Sequence, residues 1–175
     1  MSEETELREY MRDHFDVDLI PDGVFKRTRK GRGPRGYVGA LAGCFKPNGH
    51  AIGINNKTYL ANRLVWLWVH GSWPSDYLNH LDQNLYNNKI HNLKVSTISE
   101  IARNCKRSIK NTSGCTGVSF TVNPKHKKKP WRVGVKSESI DGYSKYFAHL
   151  ADAVMMAHIK RKEFGFHPNH GSTPS

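Results

Sequence analysis

The clearest pattern of apolar and polar positions lies in the last third of the chain. Apolar side chains take every second position in three runs, and this period of two is typical of β-strands with one buried face. The runs cover residues 118–123, 131–136 and 143–149, with turn-forming residues between them. Residues 150–164 follow with a helical period, and Gly165 stands directly after them. We expect three antiparallel strands and one helix here.

The first half of the chain has a different pattern, in which short strands precede one apolar, aromatic helix. An amphipathic helix is predicted over residues 3–15, and strands over residues 24–28, 43–46 and 51–54. The apolar helix contains Trp66 and Trp68 and stops at Gly71, because glycine readily takes the left-handed conformation that ends a helix. A basic, glycine-rich stretch at residues 29–36 lacks the pattern of a phosphate-binding P-loop.

An asparagine-rich loop, residues 83–92, separates a strand that ends at His80 from a second helix that starts near Thr97 or Ser99. Asparagine side chains bond to their own backbone and tolerate left-handed conformations, so they can hold an irregular loop rigid. A segment of this kind can hold one imidazole and one metal ion. Together the patterns predict an α+β fold.

The charge of the chain is +12 and is unevenly distributed. Residues 1–22 have a net charge of −6, so the remaining residues carry +18. No acidic residue occurs between Glu100 and Glu138, although ten basic residues do. A long stretch of one sign suggests a polyanionic partner, the alternative being a solvated basic surface. Aromatic residues and strand patterns are interleaved with the charges, which favours nucleic acid.

The three cysteines are isolated and form no CxxC pair. They indicate neither a disulfide framework nor a zinc site, so reduced thiols in a cytoplasm are expected and no zinc is expected. The first fifteen residues are charged and lack the apolar run of a signal peptide. No stretch approaches the roughly 18 apolar residues of a membrane span, so no membrane partner is expected.

Residues 62–104 carry a specific order of motifs. It comprises Trp66, His70, Gly71, Trp73 and Pro74, then Asn79-His80, then Tyr-Asn-Asn-Lys-Ile-His-Asn-Leu at 86–93, then Ser99-Glu100. This order resembles the HNH nuclease family, particularly its phage homing-endonuclease branch. The resemblance implies an HNH ββα-metal nuclease-like domain at residues 22–104, preceded by an acidic N-terminal extension at residues 1–21. If the protein is phage-encoded, the host cytoplasm is the expected location.

The same resemblance assigns roles to the residues of the predicted site. His80 is expected to be the general base that activates water for attack on a phosphodiester. A divalent metal, Mg²⁺ or Mn²⁺, is the implied cofactor and would stabilise the developing charge. Asn88 and Asn92 are expected to shape the loop.

Three polar positions of the family pattern have changed. Asn79 stands where the family has Asp, Ile101 where it has Asn, and Asn62 where it has His. Mg²⁺ sites usually include at least one carboxylate, so Asn79 is a weak ligand. Asp82 or Asn104 could compensate. Two interpretations stay open: the site is slow, or it has lapsed and only binding remains.

A second resemblance covers residues 111–171. Asn111-Thr112-Ser113-Gly114, Gly117-Val118, Trp131-Arg132 and residues 164–171 are similar to the APETALA-type (ethylene-response-factor-like) DNA-binding domain attached to phage HNH proteins. The resemblance implies a DNA-binding domain after a basic linker, residues 105–110, and before a tail, residues 172–175. The basic residues expected to contact DNA are Arg107, Lys110, Lys125, Lys127, Lys128, Lys129, Arg132 and Lys136.

The two resemblances imply a phage-type HNH endonuclease-like protein that binds double-stranded DNA and nicks or cleaves it with a metal ion. The alternative is a catalytically lapsed HNH scaffold that acts as a DNA-binding or regulatory protein. A third interpretation is a protein that binds a host protein through its aromatic or acidic N-terminal surface.

Overall fold

The computed structural model describes residues 2–31, 33–136 and 141–172, and its secondary structure is mixed. The helices are α1 (Glu3–His14), α2 (Ala61–His70), α3 (Ile98–Ala102) and α4 (Leu150–Glu163), with short 3₁₀ turns at Val17–Asp22, Ile90–Asn92 and Pro124–His126. The strands are β1 (Cys44–Lys46), β2 (Gly49–Ile54), β3 (Lys57–Leu60), β4 (Tyr77–His80), β5 (Leu93–Ser96), β6 (Val118–Phe120), β7 (Trp131–Val135) and β8 (Tyr143–Phe147). The predicted α+β class is confirmed. The chain divides into two compact units, residues 1–98 and 99–175.

The first unit is built around α2. This helix follows β3 directly and ends at Gly71, whose φ of 78° places it in the left-handed region. β1, β2 and β3 form an antiparallel sheet in that order, and β4 pairs with β5 in a separate hairpin. Apolar residues of α2 and β2 share one core, in which Leu64, Leu67 and Ile52 are fully buried.

The acidic N-terminal segment is part of this core and not a separate extension. Ser2 caps α1 by accepting a hydrogen bond from the Thr5 backbone, and Leu7 and Met11 point from α1 into the core around α2. Phe15 is buried in the same cluster. A domain boundary at residue 21 would therefore separate side chains that pack together, because the apolar face of α1 lies against the core of the first unit.

Residues 24–28 are predicted as a strand, but they form only isolated bridges. Arg27 pairs with the segment before β1 through its backbone amide, which donates to the Ala40 carbonyl at 2.9 Å. Gly39 and Gly43 flank that segment with φ angles of 85° and 87°. These left-handed conformations interrupt the extended backbone that a continuous ladder requires.

The second unit contains an antiparallel sheet in the order β6-β7-β8, covered on one face by α4. Val118, Val133 and Val135 are buried from the sheet, and Ala153 and Ala157 are buried from the helix. The small alanines let α4 lie close to the strands. The predicted three strands and helix are confirmed in this unit, each within a few residues of the expected bounds.

The segment predicted as a basic linker is hydrogen-bonded into the second unit. The backbone amide of Gly171 donates to Cys105 at 2.8 Å, and that of Arg107 donates to Ser172 at 2.9 Å. Residues 105–107 therefore belong to the folded unit, as does Ser172 of the predicted tail; residues 173–175 lie outside the described residues. Among the helices that the structure describes, none is both long and apolar enough to cross a membrane.

Candidate functional site

His80 is the last residue of β4 and lies opposite Leu93 of β5. Its side chain is 5% exposed, and its Nε2 atom lies 3.1 Å from Oδ1 of Asn88, which is itself 3% exposed. An amide oxygen only accepts hydrogen bonds, so Nε2 carries a hydrogen in this contact. The contact fixes the orientation of the imidazole ring inside the first unit.

The strand opposite His80 is absent from the sequence-based prediction. Its residues, Leu93–Ser96, alternate between apolar and polar side chains, and this alternation is the pattern that indicates a strand. The run is short and follows the asparagine-rich loop directly, so the loop pattern masks it. The order of elements is consequently strand, loop, strand, helix.

Asp82 and Asn92 hold the loop after His80 in shape. Oδ1 of Asp82 accepts from the Asn84 backbone amide and from Nδ2 of Asn92, both at 2.9 Å, and Oδ2 accepts from Nδ2 of Asn87 at 2.7 Å. Asn92, 5% exposed, also donates to the Asn87 carbonyl at 2.8 Å and accepts from the Asp82 amide at 3.1 Å. Both carboxylate oxygens of Asp82 are thus engaged within the loop.

The pKa of Asp82 lies below its ordinary value. Burial opposes ionisation, but hydrogen bonds from Asn84, Asn87 and Asn92, together with the charge of His80, outweigh it. The carboxylate is therefore ionised at neutral pH, and its charge stabilises the loop.

Asn79 and Asp82 are the ligands that the sequence predicts beside His80 for Mg²⁺ or Mn²⁺. Asn79 supplies an amide without charge, and Asp82 serves the loop. In the described part of the chain, no group of three or more His, Cys, Asp or Glu side chains is arranged to hold a metal ion. Asn104 is buried, and its role as a ligand stays a prediction. Hydrogen bonds hold both oxygens of Asp82 in place but leave a lone-pair site, so the expected compensation by Asp82 stays a prediction.

Gly23 supports the site from a distant part of the sequence. A Cβ at this position would lie 2.9 Å from both Cβ and the carbonyl carbon of Asn88, closer than side chains approach backbone in proteins. The φ of Gly23 is also positive, at 78°. The residue that orients His80 thus rests directly on a glycine, a contact that no local sequence pattern signals.

The outer face of the sheet in the second unit, opposite α4, presents basic and polar side chains. Ser119, Arg132 and Tyr146 are direct partners across β6, β7 and β8, so their side chains lie on one face. Nε of Arg132 donates to the Ser144 hydroxyl at 3.3 Å. Lys136 is exposed and follows β7.

The lysine-rich turn between β6 and β7 folds toward this outer face. The ring of His126 stacks on that of Tyr146, with 3.6 Å between centroids and 6° between planes. Lys125, Lys127, Lys128 and Lys129 are all exposed around this stacked histidine. The structure thus brings Arg132 and the turn that carries the four lysines to one side of the sheet.

Two other predicted DNA contacts lie apart from this face in sequence. The guanidinium of Arg107 donates to the Gly114 carbonyl and holds the loop before β6. Lys110 is exposed in that loop. The second unit has 14 basic and five acidic residues, whereas the first has 13 and ten, so most of the positive charge lies in the second.

A shallow groove of about 490 Å³ runs along the outer face between Ser119, Arg132 and Lys136. Gly134 lies in the middle of it, and no atom of another described residue lies within 4 Å of where its Cβ would stand. The floor is therefore bare backbone that a ligand can approach closely.

A scan against protein-family models and searches of curated proteins and of solved structures give no match.

Proposed function

We propose that the chain binds double-stranded DNA through the outer face of its β6-β7-β8 sheet. The observation that carries the proposal is that Arg132 and the turn bearing four lysines lie on the same exposed face. Lysine and arginine neutralise phosphates and release counterions, which supplies most of the affinity for DNA. Phosphate contacts set orientation, while groups on the strands reach base edges.

The geometry suits a sheet laid into the major groove. That groove admits a two-stranded ribbon, and the polar side chains of Ser119, Arg132 and Ser144 project from adjoining strands. Gly134 leaves room for close approach of the DNA backbone. The lysine turn lies at the end of the ribbon, where it can contact phosphates flanking the groove.

The test replaces the four lysines of the turn by alanine and measures DNA affinity by fluorescence anisotropy across salt concentrations. We expect weaker binding to all sequences and a salt slope reduced by about 0.9 for each phosphate that is no longer neutralised. The charge-matched control removes four exposed basic residues of the first unit, Lys26, Arg29, Lys30 and Lys46. Equal weakening of DNA binding in the two variants would mean that only net charge matters and would contradict the proposal.

Phosphodiester hydrolysis at His80 is the second candidate function. The observation that favours it is the buried imidazole oriented by Asn88 at the end of β4, the place of the general base in the HNH resemblance. The missing carboxylate at Asn79 argues for a slow or lapsed site. DNA binding is thus the primary proposal, and nicking is secondary.

A plasmid-nicking assay with added Mg²⁺ or Mn²⁺ distinguishes between an active and a lapsed site at His80. If wild type nicks DNA, His80→Ala should abolish activity. If it does not, the double change Asn79→Asp and Ile101→Asn should raise Mn²⁺-dependent nicking, with Asn79→Asp contributing most because it restores a charge. Fast nicking by wild type and no effect of the double change would show that Asn79 is not a defect.

A further inference from the structure

The second unit contains a cavity of about 430 Å³ that adjoins the proposed DNA-binding face and shares Gly134 and Lys136 with it. It lies between α3 and the following Arg103, the end of β7 at Val135 and Lys136, and the segment from Arg161 to His170. Its volume falls in the range of about 300–1,000 Å³ that is typical of small-molecule sites. Among the described residues, three cationic side chains line it, Arg103, Lys136 and Arg161, whereas no acidic one does.

Arg161 is a buried cation on α4. Its side chain is 7% exposed; Nε donates to the Ala157 carbonyl at 3.2 Å, and Nη2 lies 3.2 Å from Sγ of Cys115 and 3.3 Å from Nδ1 of His158. None of these partners carries a negative charge. Burying an uncompensated charge is costly, so an anion would complete the surroundings of this guanidinium.

Two further polar atoms beside Arg161 have no hydrogen-bond partner within the part of the chain that the structure describes. They are Oγ1 of Thr116 and Nδ1 of His170, and both are buried. Burial, and then the positive charge of Arg161, lower the pKa of His170, while a hydrogen bond between its ring and the Arg103 backbone acts in the opposite direction; the unpaired atom of the ring is Nδ1. Buried polar groups in folded proteins are nearly always paired, so unpaired groups on one cavity wall indicate a ligand position.

Gly171 packs directly against Thr116 and Arg161. A Cβ there would lie 2.7 Å from Oγ1 of Thr116 and 2.9 Å from Nη1 of Arg161. A side chain at this position would therefore separate the hydroxyl from the guanidinium or displace them. With glycine, the hydroxyl and the guanidinium can lie close to each other at the cavity wall.

We propose that this cavity binds the phosphate of a nucleotide, with Arg161 and Thr116 holding the phosphate oxygens. Arginine and hydroxyl groups are the usual donors to phosphate. Val135 and the ring of Phe166 line the cavity and offer an apolar wall for a sugar or base. Lys136 and Arg103 add positive charge at the lining.

The phosphate could come from a free mononucleotide or from the 5′ end of a nucleic-acid strand, which share this chemistry. The cavity and the groove on the outer sheet face have four lining residues in common, Gly117, Gly134, Val135 and Lys136. A strand end lying in the groove can therefore reach the cavity. The inference does not depend on duplex binding, since a mononucleotide alone would satisfy it.

The test is calorimetric titration of the full chain with thymidine 5′-monophosphate, thymidine, inorganic phosphate, and a short single strand with or without a 5′-phosphate. We expect the monophosphate to bind and thymidine not to bind. Thr116→Val should weaken binding at least about tenfold, the effect of losing a hydrogen bond to a charged group. The same change removes an unpaired buried hydroxyl, so the fold should be as stable as wild type.

Thr112→Val is the matched control, because Thr112 is exposed in the same unit and does not line the cavity. It should leave the affinity unchanged. Arg161→Gln should abolish binding; because this variant could also unfold, Thr116→Val decides the question. Binding of the monophosphate identifies a free nucleotide, whereas binding of the 5′-phosphorylated strand alone identifies a strand end. Equal affinity of wild type and Thr116→Val, binding of inorganic phosphate alone, or no binding of any phosphate would overturn the proposal.

Discussion

Asn92 offers the sharpest test of how the loop after His80 is held. The change Asn92→Ala removes three hydrogen bonds, one of them to the charged carboxylate of Asp82. Neutral hydrogen bonds contribute about 0.5–1.5 kcal/mol each and those to charged groups about 1.5–3, so the expected destabilisation is about 3 kcal/mol. The neighbouring His91 is exposed, and His91→Ala should change stability by less than about 0.5 kcal/mol.

Urea unfolding followed by tryptophan fluorescence measures this effect, because three of the four tryptophans lie in the first unit. With a urea slope of about 2 kcal/mol/M, the midpoint for Asn92→Ala should fall by about 1.5 M. Asn92→Asp should be at least as destabilising at neutral pH, because it places a second carboxylate against Asp82. If Asn92→Ala unfolds within the range of the His91 control, the network does not stabilise the loop and our reasoning is wrong.

Three further predictions concern other contacts. Gly23→Ala should shift the NMR signals of Asn88 and destabilise the first unit by more than about 1 kcal/mol. The Cβ of the alanine would lie 2.9 Å from Asn88, and the φ angle at this position is positive. Unchanged signals would contradict the contact. Burial lowers the pKa of His50 below its ordinary 6.5, so the unfolded state binds more protons than the folded state. The free energy of unfolding should therefore fall as the pH drops below about 6.5. Urea midpoints of wild type and of His50→Gln, each measured at two pH values, test this. Tyr146→Ala should weaken DNA binding, measured by fluorescence anisotropy, because His126 would lose the ring on which it stacks.

The elements that sequence predicts well are those whose signals are local. Gly71 ends α2 as its position after an apolar helix indicates, and the alternating residues of β7 bury Val133 and Val135 while exposing Arg132. In each case the residue's own neighbours in the sequence determine the outcome. The strand predicted at residues 24–28 does not form a ladder. Its partner segment contains Gly39 and Gly43, whose left-handed conformations interrupt the extended backbone.

The features of the sites that sequence could not predict are contacts between distant residues. Gly23 and Asn88 meet only after the first unit has folded, and no periodicity links them. Similarly, Arg161 reaches Cys115 across 46 positions. The asparagine-rich loop was recognisable as a rigid loop, but the engagement of both oxygens of Asp82 follows from three-dimensional geometry alone.

The packing of α1 into the core has a consequence for how the protein would meet DNA. Because Leu7 and Met11 are buried, the exposed acids of the same helix, Glu6, Glu9 and Asp13, cannot detach from the first unit. Their charges are a fixed part of its surface, although Asp13 lies 4.0 Å from Arg29, and under the proposed function they would oppose the approach of a duplex to α1. If the chain binds DNA as proposed, the approach of a duplex to the first unit would depend on which side of that unit faces it. Neutralising these three acids should then increase the association rate while leaving the dissociation rate nearly unchanged.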